Sequence, residues 1–195
     1  MKICEVRGGG GLELHVREWG DENGAPILLI QGWSQNHLSW AKQYGSSLAG
    51  EFRLIAYDLR GHGMSEAPLS PEHYTDPRLW TDDVETIIDE LGLDRPVLVG
   101  HSYGGFLISD YVRAHGQAKI GGINFVSAVT MLGEGAFGTL IGPGFVEHFE
   151  GATANDLPTN IRAIRAFLRD LVAARGWRPS RTRARACIAT CRDVM

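Results

Sequence analysis

Short runs of apolar residues recur along the first two thirds of the chain, and longer amphipathic stretches separate them. Two extended segments open the chain, at residues 2–7 and 12–18, and the glycines at 8–11 favour a hairpin connection between them. Four continuous apolar runs follow, at residues 26–30, 53–57, 96–99 and 123–126. Runs of this length are typical of strands that are buried on both faces of a sheet.

The clearest helical pattern spans about residues 76–91. Asp76 can cap its first turn, Pro77 suits the first helical position, and Gly92 ends it. Its apolar side chains recur at helical spacing and form one face: Trp80, Val84, Ile87, Ile88 and Leu91. Weaker helical patterns cover about residues 39–48 and 105–114. Because strands alternate with helices, we predict an α/β fold with a doubly wound, mostly parallel sheet covered on both sides.

The alternation of strands and helices stops after about Leu132. Residues 137–172 are predicted to be mostly helical, with one apolar stripe made of Ile161, Ile164, Phe167, Leu168 and Leu171. Residues 175–195 differ in character, because they hold six arginines and two of the three cysteines and show no clear period. We therefore divide the chain into a core at 1–132, a helical segment at 133–174 and an atypical arginine-rich tail at 175–195.

Composition and charge narrow the classes of function. A chain of 195 residues with 44% hydrophobic and 22% charged residues suits one globular domain. The net charge of −4 gives no reason to expect nucleic acid or an anionic membrane as a partner. No apolar run approaches the roughly 18 residues that cross a bilayer, and the first residues lack the apolar stretch of a secretory signal. We expect a cytoplasmic protein.

The three cysteines, at 4, 187 and 191, have no spacing typical of a disulfide framework, which favours reduced thiols. Cys187 and Cys191 could form half of a metal site, but no second pair of ligands accompanies them. We expect no metal and no cofactor. Nothing in the sequence indicates an oligomeric state.

The strongest chemical signal is a G-x-S-x-G pattern at residues 100–104, with Ser102 at its centre. A strand is predicted before it and a helix after it, which is the context of a nucleophile elbow, a sharp turn that holds the serine Oγ clear of the sheet. Gly100 and Gly104 suit a turn in which backbones approach closely. Amide groups at the start of the helix would lie near an oxyanion formed at the serine. The alternative is a glycine-rich turn whose serine only caps a helix.

With two further motifs, the chain resembles the α/β-hydrolase family, especially small cofactor-free bacterial esterases and haloperoxidase-like members. Residues 30–33, Ile-Gln-Gly-Trp, resemble the family's His-Gly-aromatic turn, with Gln31 in place of the usual histidine. The resemblance implies that the amides of Trp33 and Tyr103 form the oxyanion hole. Residues 57–65 resemble the family's D-x-R-G-x-G-x-S turn. There we expect Asp58 and Arg60 to bond to each other or to local backbone, and we interpret His62 as structural.

The resemblance also implies a triad acid and a histidine, which the family carries on its last two strands, beyond a helical cap. Residues 133–174 would form that cap, and the last two strands are expected to be missing. Only His115 and His148 follow Ser102 among the histidines, and neither is favoured as the base; His101 is expected to point away from Ser102. Glu134 is a weak candidate for the acid. The tail either results from a gene that is read out of frame or ends early, or is a disordered basic tail.

The function that these patterns favour is a serine hydrolase that cleaves a small ester or related acyl substrate through Ser102. Epoxide hydrolases and haloalkane dehalogenases of this fold use an aspartate nucleophile, so Ser102 argues against both. Two alternatives stay open: a catalytically incomplete fragment that only binds, and a chain completed by residues of another chain. Several apolar side chains either line a pocket or pack the cap: Phe137, Leu140, Ile141, Phe145 and Phe149.

Overall fold

The computed structural model describes residues 1–133 and 143–172. Several residues singled out from the sequence lie outside these ranges: Glu134, Phe137, Leu140, Ile141, Cys187, Cys191 and the arginine-rich tail. The described residues fall into two compact units, one made of residues 1–130 and one that begins at Met131. No helix in residues 1–133 and 143–172 is long and apolar enough to cross a membrane.

The first unit is built on one sheet whose strand order is β1-β2-β4-β3-β5-β6. The strands span Lys2–Arg7 (β1), Glu13–Gly20 (β2), Ala25–Ile30 (β3), Phe52–Tyr57 (β4), Val97–His101 (β5) and Gly122–Val126 (β6). β1 and β2 run antiparallel to their neighbours, and the other four strands are parallel. All six predicted strands are confirmed, and each boundary lies within two residues of the prediction.

Helices connect the parallel strands. They span Ala41–Tyr44 (α1), Glu72–Thr75 (α2), Pro77–Glu90 (α3) and Tyr103–His115 (α4). The predicted start of α3 is confirmed, because the Asp76 side chain accepts a hydrogen bond from the Arg78 amide at 2.8 Å and Pro77 occupies the first turn. The helix expected at 105–114 is confirmed as α4.

The weak helical pattern at 39–48 is confirmed only in part, because α1 covers four residues of it. The chain there forms two short 3₁₀ turns, His37–Trp40 and Ser47–Gly50, on either side of α1. Ser46 interrupts the helix, because its hydroxyl donates to the Gln43 carbonyl at 2.7 Å and accepts from the Leu48 amide at 3.3 Å. Local bonds of this kind compete with the helical ladder.

Apolar side chains cover both faces of the sheet. On β3, Leu28 and Ile30 belong to the larger buried cluster, whereas Leu29 between them belongs to a smaller cluster with Trp40 and Ala56. Successive side chains of a strand serve opposite faces, which explains the alternation. The helical members of the larger cluster are Val84, Ile87, Ile88, Leu107, Ile108 and Tyr111. The apolar face predicted for α3 is therefore confirmed.

Two helices form the described part of the second unit, Pro143–Ala152 (α5) and Leu157–Val172 (α6). The Phe167 ring is buried and meets the Phe145 ring edge to face, with centroids 5.5 Å apart. Ile161 is a correction, because the predicted apolar stripe included it and its side chain is 41% exposed. The role of this unit as a cap stays a prediction.

Candidate active site

Ser102 occupies a one-residue turn between β5, which ends at His101, and α4, which begins at Tyr103. Its backbone has φ of +52° and ψ of −117°, a combination that side-chain-bearing residues rarely adopt. Three backbone hydrogen bonds fix the turn. The Ser102 amide donates to the Val126 carbonyl at 3.2 Å, and the Ser102 carbonyl accepts from the amides of Gly105 and Val129 at 3.0 Å each. The turn is thus tied to β6 and to the segment that follows it.

The glycines of the pattern lie where backbones pass within contact distance. A methyl group on the α-carbon of Gly100 would lie 2.7 Å from the Gly104 carbonyl, and one on Gly104 would lie 2.4 Å from the Ile30 carbonyl oxygen. Real side chains do not come this close to backbone. α4 therefore starts directly against the end of β3, and only glycine fits at both positions.

The turn after β3 lies beside Ser102 because β3 and β5 are neighbours in register, with Ile30 opposite Gly100. A methyl group on the Gly32 α-carbon would lie 3.1 Å from the Ser102 Cβ. Gln31 is fully buried, and its side-chain amide donates to the Gln35 carbonyl at 2.7 Å. The structure thus brings the residues on either side of Gly32, including the half-buried Trp33, to the carboxyl end of the parallel strands, where Ser102 lies.

The Gln35 side chain was not singled out from the sequence. Its carbonyl oxygen accepts a hydrogen bond from the Gly32 amide at 3.0 Å and lies 3.1 Å from Nδ1 of His101. Burial lowers the pKa of His101, so its ring is neutral at pH 7. The ring also meets the Trp40 ring edge to face, with centroids 6.5 Å apart. Its expected orientation away from Ser102 stays a prediction. A glutamine in a polar turn carries no local signal of a partner 66 residues away.

The turn after β4 is held by buried polar side chains, but not in the expected pairing. Asp58 and Arg60 do not bond to each other. Asp58 accepts hydrogen bonds from the amides of His37 and Met64 at 2.6 and 2.9 Å and from the His37 ring at 2.9 Å. The predicted bonds to local backbone are confirmed at Met64. Each of the two side chains instead has another partner, His37 for Asp58 and Asp83 for Arg60.

Arg60 is fully buried and pairs with Asp83 on α3 through two hydrogen bonds of 2.7 and 2.8 Å. Its remaining donors reach three carbonyl oxygens, those of His73, Gly9 and Leu79. Asp83 was missed in the sequence, although it directly precedes Val84 on the apolar face of α3. A carboxylate beside such a stripe is a signal of a buried partner.

His62 serves this framework, as expected for a structural residue. Its Nδ1 lies 3.0 Å from the Arg60 carbonyl, and the Ser34 amide donates to Nε2 at 3.2 Å. The proton is therefore on Nδ1, since Nε2 accepts. Burial lowers the pKa of His62.

No histidine of the first unit is hydrogen-bonded to Ser102. His115 lies at the far end of α4, where its ring stacks on Tyr111 and its Nε2 lies 3.2 Å from the Thr81 hydroxyl. In the second unit, Nε2 of His148 lies 2.8 Å from the Asp170 carboxylate. His148 therefore has a carboxylate partner within its own unit. Among the described residues, no three His, Cys, Asp or Glu side chains gather as metal ligands would.

Known proteins resemble this chain in sequence. Residues 25–175 match the model of the alpha/beta hydrolase fold. The chain is 33% identical over 129 residues to a non-heme chloroperoxidase of Kitasatospora aureofaciens, which covers 66% of this chain and 44% of that protein. It is 35% identical over 105 residues to epoxide hydrolase 4 of Homo sapiens, which covers 53% of this chain and 28% of that protein. The chain thus spans less than half the length of these curated relatives.

A solved structure shows the same likeness in three dimensions. An esterase from Rhodococcus sp. ECU1013 superposes with a TM-score of 0.79 at 38% identity, over 87% of this chain and 61% of that one. The predicted fold class and the predicted family resemblance are both confirmed.

Proposed function

The chain belongs to the alpha/beta hydrolase family, and from that membership we propose that it is a serine hydrolase that acts on a small ester or related acyl substrate through Ser102. The observation that carries the proposal is the backbone conformation of Ser102. This residue is the single residue between β5 and α4, and its φ is +52°. Conformations of this kind cost about 1–3 kcal/mol and persist at functional sites. A serine that only capped the helix would need no such strain, and this one makes no side-chain cap bond.

The proposed reaction begins with attack of the Ser102 Oγ on the acyl carbonyl carbon, while a base takes the hydroxyl proton. The carbonyl oxygen becomes an oxyanion, and the amides of Trp33 and Tyr103 donate to it. Collapse of this intermediate expels the alcohol, which takes up the proton, and water then hydrolyses the acyl-serine. The start of α4 supports this assignment, because the first amides of a helix lack intrahelical partners and favour negative charge.

The choice of nucleophile separates this proposal from the chemistry of some relatives. Epoxide hydrolases of this fold attack with an aspartate, and an epoxide hydrolase is among the similar proteins. A serine cannot supply the anionic oxygen of that reaction without a base, whereas acyl transfer is the usual chemistry of an activated serine. The esterase likeness at 38% identity favours the same conclusion.

Hydrolysis of p-nitrophenyl acetate tests the proposal. We expect Ser102→Ala to abolish turnover, a loss of at least about 10³-fold. The matched control is Ser109→Ala, which removes a hydroxyl from the same helix that bonds only to the Gly105 carbonyl. Equal turnover in the wild-type and Ser102→Ala proteins would remove Ser102 from the reaction.

One observation favours a second candidate, a chain that is acylated or binds but does not turn over. None of the histidines in residues 1–130 is hydrogen-bonded to Ser102, and a hydrolytic serine needs a base. Pre-steady-state kinetics separates the two. A stoichiometric release of p-nitrophenol with no steady phase indicates acylation alone, and a continuous steady phase indicates a complete hydrolase.

A further inference from the structure

We propose that Gln35 is a positioning residue that fastens the turn after β3 to the nucleophile turn, so that the Trp33 amide faces the acyl group on Ser102. The inference rests on the proposed function, because it assigns a role within the same site. Gln35 touches neither substrate nor the reacting atoms in this scheme. It acts through Gly32 and His101, the residues that directly precede Trp33 and Ser102.

The contacts of one oxygen atom carry the argument. The Gln35 side-chain oxygen accepts from the Gly32 amide at 3.0 Å, which identifies that atom as the oxygen of the amide group. The same oxygen lies 3.1 Å from Nδ1 of His101. Since a carbonyl oxygen only accepts, Nδ1 of His101 must carry the proton and Nε2 must be bare. One acceptor therefore joins the two turns.

A second glutamine closes the turn from the other side. Gln31 is fully buried and donates its side-chain amide to the Gln35 backbone carbonyl at 2.7 Å. The backbone carbonyl of Gln35 thus accepts one hydrogen bond, and its side-chain oxygen accepts another. The Ser34 amide adds a third tie by donating to His62. Together these bonds hold a turn in which Ser34 has φ of +59°.

The space around Gly32 leaves the two turns little freedom to shift. A methyl group on its α-carbon would lie 3.1 Å from each of three atoms: the Gln35 side-chain oxygen, Nδ1 of His101 and Cβ of Ser102. These three groups therefore converge on one backbone position. Moving the Gln35 oxygen would release the Gly32 amide and, with it, the orientation of the next amide, that of Trp33.

An oxyanion donor acts on charge that develops only in the transition state, so its misplacement lowers kcat rather than raising KM. Loss of such a donor typically lowers kcat by about 10²–10³-fold. For Gln35→Met, which keeps the length of the side chain and removes the acceptor, we expect a fall in kcat of about tenfold or more with KM nearly unchanged, since misplacement is milder than removal.

Gln35→Glu is the rescue variant, because a carboxylate oxygen accepts from both the Gly32 amide and His101. We expect it to keep the Gly32 amide protected from hydrogen exchange and to retain most of the kcat that Gln35→Met loses. A charge beside His101 also raises the pKa of that ring, which NMR titration reads directly. Gln43→Met is the matched control, since the Gln43 side-chain oxygen is buried without a hydrogen-bond partner.

The experiment compares these three variants with the wild type in four readouts. They are steady-state hydrolysis of p-nitrophenyl acetate, the rate of Ser102 phosphonylation by an alkyl fluorophosphonate, hydrogen exchange of the Gly32 amide, and the ring ¹⁵N shifts of His101. We expect Gln35→Met to expose Gly32 to exchange, to release the His101 tautomer and to slow both reactions of Ser102. We expect Gln43→Met to match the wild type in all four.

Two failures are distinguishable. If Gln35→Met reacts at Ser102 as fast as the wild type, the positioning role is overturned and the proposed function stands. The same holds if Gly32 exchange and the His101 tautomer do not change. If the wild type reacts with the fluorophosphonate no faster than Ser102→Ala, the proposed function fails, and the role of Gln35 in positioning fails with it.

Discussion

Gly104 and Ile30 lie so close that a methyl group on the Gly104 α-carbon would be 2.4 Å from the Ile30 carbonyl oxygen. This approach sets where the turn at Ser102 lies, because α4 starts against the end of β3. The same packing brings the turn after β3, with Gln31 and Trp33, to the side of Ser102. The geometry of the candidate site thus depends on glycine, which has no side chain, at position 104.

Gly104→Ala is expected to destabilise the first unit by about 1–3 kcal/mol, because the added methyl must displace backbone rather than a flexible side chain. The measurement is the free energy of unfolding from urea denaturation. Gly50→Ala is the matched control, since no heavy atom lies within 4 Å of its added methyl, and we expect a change within about 0.5 kcal/mol. Similar values for the two variants would contradict the close approach.

Ser102→Gly is expected to be more stable than Ser102→Ala by about 1 kcal/mol. Both variants remove the hydroxyl, but glycine adopts φ of +52° without strain, and this gain exceeds its extra entropy loss on folding. Ser109 provides the control, because it lies inside α4, where glycine should be about 1 kcal/mol less stable than alanine. Urea denaturation of all four variants measures both differences. The same order at positions 102 and 109 would show that Ser102 is not strained.

Asp83→Ala is expected to lower the free energy of unfolding by about 3–5 kcal/mol, because it leaves the buried Arg60 guanidinium without its counter-ion. It also removes the acceptor of the Gly9 amide. Asp82→Ala is the matched control on the same helix, since the Asp82 side chain is 40% exposed and its partner is the half-buried His115. We expect Asp82→Ala to change stability by no more than about 0.5 kcal/mol. Calorimetry and urea denaturation measure the free energy of unfolding of both variants. Equal losses for Asp83→Ala and Asp82→Ala would exclude a special role for the buried pair.

The stability of the first unit should fall as the pH is lowered below about 6.5, partly through His62. Burial lowers the pKa of His62 from its ordinary value of 6.5, so the unfolded chain binds a proton at a higher pH than the folded one. The contribution of His62 is therefore fully present above that value and is lost as the pH falls through the folded pKa. Protonation would also remove the acceptor of the Ser34 amide.

His62→Gln tests this linkage. We expect the variant to show a shallower fall in unfolding free energy between about pH 6.5 and 5 than the wild type, by at most about 1.4 kcal/mol per pH unit. His101, whose pKa burial also lowers, is present in both proteins and cancels in the comparison. Ser109→Ala should keep the slope of the wild type. A slope that is unchanged in His62→Gln would show that His62 does not contribute.

The sequence by itself determined the local elements and predicted the type of chemistry. Apolar runs of four to five residues located the four parallel strands, because a strand that is buried on both faces needs apolar side chains throughout. Extended segments on either side of the glycines at 8–11 located β1 and β2. Asp76 and Pro77 located the start of α3 for an equally local reason, since capping involves only residues one turn apart. The pattern around Ser102 indicated a nucleophile turn because its glycines are required within five consecutive residues.

The tertiary structure alone decided which distant side chains meet. Arg60 pairs with Asp83 rather than Asp58, across 23 residues, and Gln35 meets His101 across 66 residues. These pairings follow from the strand order, which places β4 and β5 on either side of β3. Hydrophobic periodicity in the sequence indicates which side of an element is apolar. The hydrogen-bond partner of a buried polar group is fixed only when the sheet and its helices pack, because burial then requires that the group be hydrogen-bonded.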